Sequence, residues 1–139
     1  MTHQLAVNGY VLSDNTFLLL KRSKPPAIWG PPGGRLHYNE DPEQGLKREI
    51  LEETTLIVDV IQPVTTWFGQ FRGEYLLSID YLCLNPKGAV TLSAEHTAYQ
   101  WAALDQINAY LTAKEGFHYE DFQQAMQIYR LYTRKNNTS

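Results

Sequence analysis

At 139 residues the chain is long enough for one ordinary domain and too short to bury a second sizeable core. Hydrophobic residues make up 43% and charged residues 19%, which excludes a disordered, collagen-like or purely coiled-coil chain, and apolar stretches such as Leu18 to Leu20 are far too short to cross a bilayer. Twelve Lys and Arg against fifteen Asp and Glu leave a net charge of −3, so no general nucleic-acid binding is expected.

In chain order, Gln4 to Tyr10 and Phe17 to Lys21 are rich in apolar, β-favouring residues and flank Ser13-Asp14-Asn15, which predicts a hairpin. Pro25-Pro26 and then Gly30-Pro-Pro-Gly-Gly34 punctuate the next stretch so heavily that a loop is expected there. Asp41 followed by Pro42 supplies an N-cap and a first-turn proline, and Leu46 and Ile50 recur at i, i+4, so a helix should run to about Thr54. Ile57 to Phe71 and Glu74 to Leu84 read as strands joined at Arg72-Gly73, and Asn85-Pro-Lys-Gly88 as a turn into a short strand near Val90. Tyr99 to Ala102 predicts a last strand. Leu104 to Leu111 and Tyr119 to Tyr132 predict helices, the second with Phe122, Met126, Tyr129 and Tyr132 near one face. Mixed helices and strands point to a single α/β or α+β domain.

The single cysteine, Cys83, has no partner for an internal disulfide or a structural zinc site, and its setting in Tyr81-Leu-Cys-Leu84 predicts a buried thiol. The N-terminal residues lack the basic start and unbroken apolar run of a secretory signal, so a cytoplasmic protein is expected.

The chemistry is concentrated in Gly34-Arg-Leu-His-Tyr-Asn-Glu40 and Arg48-Glu49-Ile50-Leu51-Glu52-Glu53. At about 100° per residue, Glu49, Glu52 and Glu53 share one face of the predicted helix. Such like charges repel by a few tenths of a kcal/mol per pair, and acids near a helix C-terminus also oppose its dipole. A solvated acidic face is the ordinary reading of such a run. A bound divalent cation is the obvious compensation, and carboxylates without histidine or thiolate partners suit Mg²⁺ or Mn²⁺. Gly33 and Gly34 let backbone approach a ligand closely, and Arg48 is placed to orient an acid through a bidentate bond.

This arrangement resembles the Nudix hydrolase signature: Gly, five residues, Glu, seven residues, Arg-Glu, an aliphatic residue, any residue, Glu-Glu, any residue, Gly, and a final aliphatic. Gly34, Glu40 and Arg48-Glu49-Ile50-Leu51-Glu52-Glu53-Thr54-Thr55-Leu56 match it over 23 residues, with Thr55 standing where the family has glycine. Glycine there would supply a left-handed helix end, which is costly for a β-branched side chain, so a different turn geometry is expected after Thr54.

The resemblance implies a Nudix-like α/β/α sandwich with a mixed β-sheet over residues 1–135, a polar tail over 136–139, and a monomer or homodimer. It further implies that Glu49, Glu52 and Glu53 bind Mg²⁺ or Mn²⁺ with help from the Gly34 carbonyl, while Glu40 and Arg48 hold loop and helix in register. Glu95, in Glu95-His96 before the last strand, looks like the loop carboxylate that many members supply as a further ligand or general base. The implied reaction is metal-dependent hydrolysis of a phosphoanhydride, with Glu53 or Glu95 accepting the proton from water.

Arg22, Lys24 and Arg35 are the candidate phosphate-neutralising cations, each with a solvated surface charge as its ordinary alternative. Trp67, Phe68, Phe71, Tyr75 and Tyr119 are candidate platforms for a base, although core packing is the commoner role. ADP-ribose specialists in the family often carry proline about fifteen residues after the signature, a position held here by Phe71. A nucleoside or deoxynucleoside triphosphate therefore leads as substrate class. Dinucleoside polyphosphates, ADP-ribose, sugar nucleotides and a non-catalytic nucleotide-binding module are the alternatives.

Overall fold

The computed structural model describes residues 3–112 and 116–136. Its strands are β1 (Gln4–Ser13), β2 (Thr16–Arg22), β3 (Trp29–Gly30), β4 (Gly33–Arg35), β5 (Ile57–Phe71), β6 (Glu74–Lys87) and β7 (His96–Ala103). Its helices are α1 (Pro42–Thr54) and α2 (Tyr119–Asn136), with a 3₁₀ segment at Leu104–Ala109.

β1 and β2 form the expected hairpin across Asp14 and Asn15, both at positive φ (49° and 61°), which a two-residue turn between twisted strands requires and these residue types tolerate. The strands stay paired only at Leu12–Phe17 and Ser13–Thr16. They then part. β1 runs parallel to β6 and antiparallel to β4, whereas β2 pairs with β7 and β3. β6 carries β5 on its far side, giving a mixed sheet.

Alternation along these strands builds two cores. Tyr10, Leu12, Phe17, Leu19 and Leu82 face Phe122, Ala125 and Met126 of α2. Val7, Val11, Leu18, Leu20, Tyr81 and Cys83 face Leu46 and Ile50 of α1. The sheet is thus covered on both faces, which explains the unbroken apolar run through β2 and gives the α/β/α sandwich. Gly9 permits the close seating of α1, since a Cβ there would lie 3.0 Å from both Ile50 Cδ1 and Cys83 Sγ.

Several expectations need correction. The Pro- and Gly-rich stretch expected as loop contains β3 and β4, because Leu20–Gly30 and Val7–Gly34 pairing satisfies its backbone at a distance in sequence. No strand forms near Val90. Thr91 N–H and Ser93 N–H instead donate to the Thr54 and Glu53 carbonyls at the end of α1, using the groups a strand would have needed. The Asn85-Pro86 segment stays within β6 as an irregularity between the Ile57–Lys87 and Asp59–Leu84 pairs. The expected helix over Leu104 to Leu111 is the shorter 3₁₀ segment, and α2 continues past the expected end at Tyr132 to Asn136; 137–139 lie outside the described residues.

The end of α1 also departs from expectation. Thr55 adopts the left-handed conformation (φ 64°, ψ 5°) and its N–H donates to the Leu51 carbonyl. Its hydroxyl donates to the Ala89 carbonyl at 2.7 Å, and the Thr54 hydroxyl accepts from Leu56 N–H at 3.1 Å. These bonds offset a conformation that costs a β-branched residue roughly 1–2 kcal/mol.

Candidate active site

α1 starts where the sequence directs it: Asp41 Oδ2 accepts from Gln44 N–H at 3.1 Å, with Pro42 in the first turn. Burial of Leu46 and Ile50 then fixes its rotation and carries Arg48, Glu49, Glu52 and Glu53 toward β4. Arg48 joins the loop to the helix. Its Nε donates to Glu40 Oε2 at 2.7 Å and its Nη2 to Glu40 Oε1 at 2.9 Å, a two-point grip, while Nη1 reaches Glu49 Oε1 at 3.0 Å and Glu52 Oε2 at 3.2 Å. Glu40 also accepts from His37 N–H, and the Arg48 bond leads that backbone bond in pulling its carboxyl down to about 2. Glu40 is thereby held ionised at the helix entrance.

The three helical acids differ in environment. Glu52 is 58% exposed, whereas Glu53 is 4% exposed and accepts from Gly33 N–H at 2.9 Å through Oε1. Burial, reinforced by Glu49, Glu95 and Glu52, pushes the Glu53 carboxyl up to about 8. Glu49 is also raised by burial, with Arg48 opposing. Its carboxylate lies against Gly34, where a Cβ would come within 2.5 Å of Oε2. A side chain at Gly34 would occupy that space.

From the other wall, the start of β7 brings Glu95 and His96 to Glu53, with one ligand atom from each of the three within 4.8 Å of the others. His96 Nε2 is 3.9 Å from Glu53 Oε2, and its Nδ1 is buried without a partner among the described residues. Burial leads in lowering the His96 pKa, which favours the neutral imidazole that a cation would need. Histidine was absent from the donor set read from the sequence; its one signal was adjacency to Glu95. The structure brings two carboxylates, Glu53 and Glu95, together with this imidazole and leaves Glu49 and Glu52 outside that group; the donor chemistry, the Gly34 space and the orphaned nitrogen fit a hard divalent cation.

Glu53, Glu95 and His96 border a cleft of about 500 Å³ whose lining also includes Arg22, Lys24, Arg35 and Phe71, but neither Glu49 nor Glu52. Arg22 is lowered mainly by burial, its Nε has no partner among the described residues, and its guanidinium lies 5.3 Å from the Phe71 ring centre. Arg35 is tied to Glu74 at 2.7 Å. Of the aromatic candidates, Trp67 and Phe71 line the cleft, whereas Phe68 and Tyr75 stack on each other at 5.9 Å beside His3. Tyr119 is not in the cleft lining. Phe117, which the sequence did not single out, is. Among the described residues, no helix is long and apolar enough to cross a membrane.

Comparison with known proteins matches a model of the NUDIX domain to residues 2–123. A MutT-like protein of Streptomyces ambofaciens is 31% identical over 106 residues, covering 76% of this chain and 68% of that protein. The asymmetrical bis(5'-nucleosyl)-tetraphosphatase of Caenorhabditis elegans is 34% identical over 95 residues, covering 64% of this chain and 68% of that protein. A crystal structure of a C. elegans Ap4A hydrolase binary complex superposes with a TM-score of 0.79 at 24% identity, over 91% of this chain and 98% of that one, which shows a common fold.

Proposed function

The chain belongs to the Nudix family of pyrophosphohydrolases, and from that premise we propose that it is a divalent-metal-dependent hydrolase of a nucleoside or deoxynucleoside triphosphate. The observation that carries the reading is the meeting of Glu53 with Glu95 and His96 at a cleft that also holds Arg22 and Lys24. Anionic phosphates beside several carboxylates would be repelled without intervening cations.

In this proposal Glu49, Glu52 and Glu53 would hold Mg²⁺ or Mn²⁺, with the Gly34 carbonyl, Glu95 and His96 as further donors. When bound, the cation neutralises phosphate oxygens and lowers the pKa of a water. Glu53 or Glu95 takes the proton as water oxygen bonds to phosphorus and the phosphoanhydride bond breaks. Arg22 and Lys24 draw the phosphates in, Arg35 contributes from the rim, and Arg48 holds the Glu49 and Glu52 carboxylates in place through its Nη1. Phe71, with Trp67, offers a stacking surface for the base. A cleft of about 500 Å³ suits one nucleoside with its phosphates.

Hydrolysis of dinucleoside polyphosphates is the second reading, favoured by the tetraphosphatase relative. A panel of nucleoside di- and triphosphates, dinucleoside polyphosphates, ADP-ribose and sugar nucleotides, assayed with Mg²⁺, Mn²⁺ or a chelator, tests both. Triphosphates should turn over fastest and the chelator should abolish the reaction. Turnover of none, or turnover indifferent to chelation, would overturn the proposal.

A further inference from the structure

The cleft has a polar floor that phosphate hydrolysis does not require. Along β6, Leu76, Ser78 and Asp80 point to the cleft side of the sheet, and Asn8 stands opposite Asp80 on β1. Asp80 is 2% exposed and Ser78 4% exposed, yet both line the cleft. Asn8 Nδ2 donates to Asp80 Oδ1 at 3.0 Å, and the Ser78 hydroxyl also bonds the carboxylate. A carboxylate has about four lone-pair positions, so about two acceptor positions are left over at the floor of an open cleft. A buried carboxylate is costly unless its hydrogen-bonding capacity is used.

Register places this floor usefully. Asn8 is paired on its other side with Gly33, whose N–H binds Glu53. Asp80 therefore lies two strand spacings, about 10 Å, across the sheet from the strand that anchors Glu53. Trp67 is paired with Ser78 on the next strand and lines the same cleft, giving an aromatic wall beside the polar floor. A nucleotide with its phosphates at Glu53 would extend its base toward this wall and floor.

We infer that Asn8, Ser78 and Asp80 read the base of the substrate, and that Asp80 selects a guanine-type edge carrying two adjacent donors, the ring N1–H and the 2-amino group. This rests on the nucleotide-hydrolase reading of the site. Two parallel bonds to one carboxylate use both leftover acceptor positions. Adenine presents a ring nitrogen acceptor beside its amino group and would set lone pair against lone pair; hypoxanthine keeps N1–H but lacks the amino group. Burial pushes Asp80 up to about 6, which leaves it ionised and accepting at neutral pH.

The test uses GMP, IMP and AMP, which have no phosphoanhydride and so report binding without turnover. Calorimetry with the full chain and Mg²⁺ should show GMP binding at least about tenfold tighter than IMP or AMP, and GTP should exceed ITP in kcat/KM by about 10- to 100-fold. Asp80→Asn should bring GMP and IMP within about threefold of each other, because one acceptor is replaced by a donor. The Asn8 amide can rotate to keep its bond to the new side chain, and circular dichroism verifies the fold. Ser78→Ala, a smaller change, should retain the GMP preference while weakening binding overall. Failure of GMP to bind, equal affinity for GMP and IMP, or an undiminished preference in Asp80→Asn would overturn the inference. GMP selectivity in a protein that hydrolyses no nucleotide would instead sink the hydrolase reading and leave this subsite standing.

Discussion

Arg48 and Glu40 meet through two parallel hydrogen bonds, at 2.7 and 2.9 Å, while the remaining guanidinium edge holds Glu49 and Glu52. One side chain thus ties the loop after β4 to three acids. Lysine carries the charge but not the fork. Arg48→Lys should lower kcat/KM by about 10- to 100-fold and raise the Mg²⁺ concentration needed for half-maximal rate. Initial rates across a metal titration check this; an unchanged metal requirement would show that Arg48 does not orient the acids.

Glu53→Gln keeps an oxygen for Gly33 N–H but removes the ionisable carboxyl, which burial and its acidic neighbours push up to about 8. Turnover should fall by about 10²- to 10⁴-fold while stability is equal or slightly higher. Glu52→Gln should likewise cripple turnover, through loss of a metal-ligating carboxylate, while stability is equal or slightly higher because repulsion is relieved at an exposed position. Single-turnover rates and urea midpoints measure the two effects separately. Wild-type rates in either variant would remove that residue from the mechanism.

Thr55 offers a test of compensation at the end of α1. Thr55→Ala loses the hydroxyl bond to Ala89 and keeps a left-handed backbone; Thr55→Gly loses the same bond and relieves the backbone. The glycine variant should be the more stable of the two by about 1 kcal/mol. Urea denaturation with equal slopes provides the comparison. Equal stabilities would mean that the left-handed end carries no strain.

Asp80 predicts a pH dependence whose sign is opposite to that of a salt-bridged acid. Its folded pKa of about 6 lies above its ordinary value of 3.8, so folding favours the protonated form. That stabilisation is fully present below about pH 4 and is lost as pH rises through about 6, an effect on the order of 2–3 kcal/mol. Because other groups titrate too, the relevant quantity is the difference between wild type and Asp80→Asn, which cannot ionise. The variant should gain relative to wild type from pH 4 to pH 7 in thermal melts; parallel profiles would contradict it.

Short-range signals carried much of this fold. Asp41-Pro42 set the start of α1, Asp14-Asn15 and Arg72-Gly73 set two hairpins, and the spacing from Phe122 to Tyr132 marked the buried side of α2. β3 and β4 were hidden because two or three residues among prolines and glycines become strands only when β2 and β1 supply partners. The stretch near Val90 misled for the converse reason, its donors being taken by the end of α1. The acids of α1 were legible because helical periodicity places them together. The approach of His96 to Glu53 was not, since it depends on how β7 docks beside β2. Asp80 gave no local sign either; within β6 it reads as a polar residue on a solvent face, and only its burial at the cleft distinguishes it.

The central sheet presents Asn8 and Asp80 on the face shared with α2, and Val7, Tyr81 and Cys83 on the face shared with α1. Drift on one side can therefore accumulate without repacking the other. A duplicated copy of such a gene would inherit its acid-bearing helix intact while exploring new residues along two strands, so descendants could diverge in diet long before they diverged in chemistry.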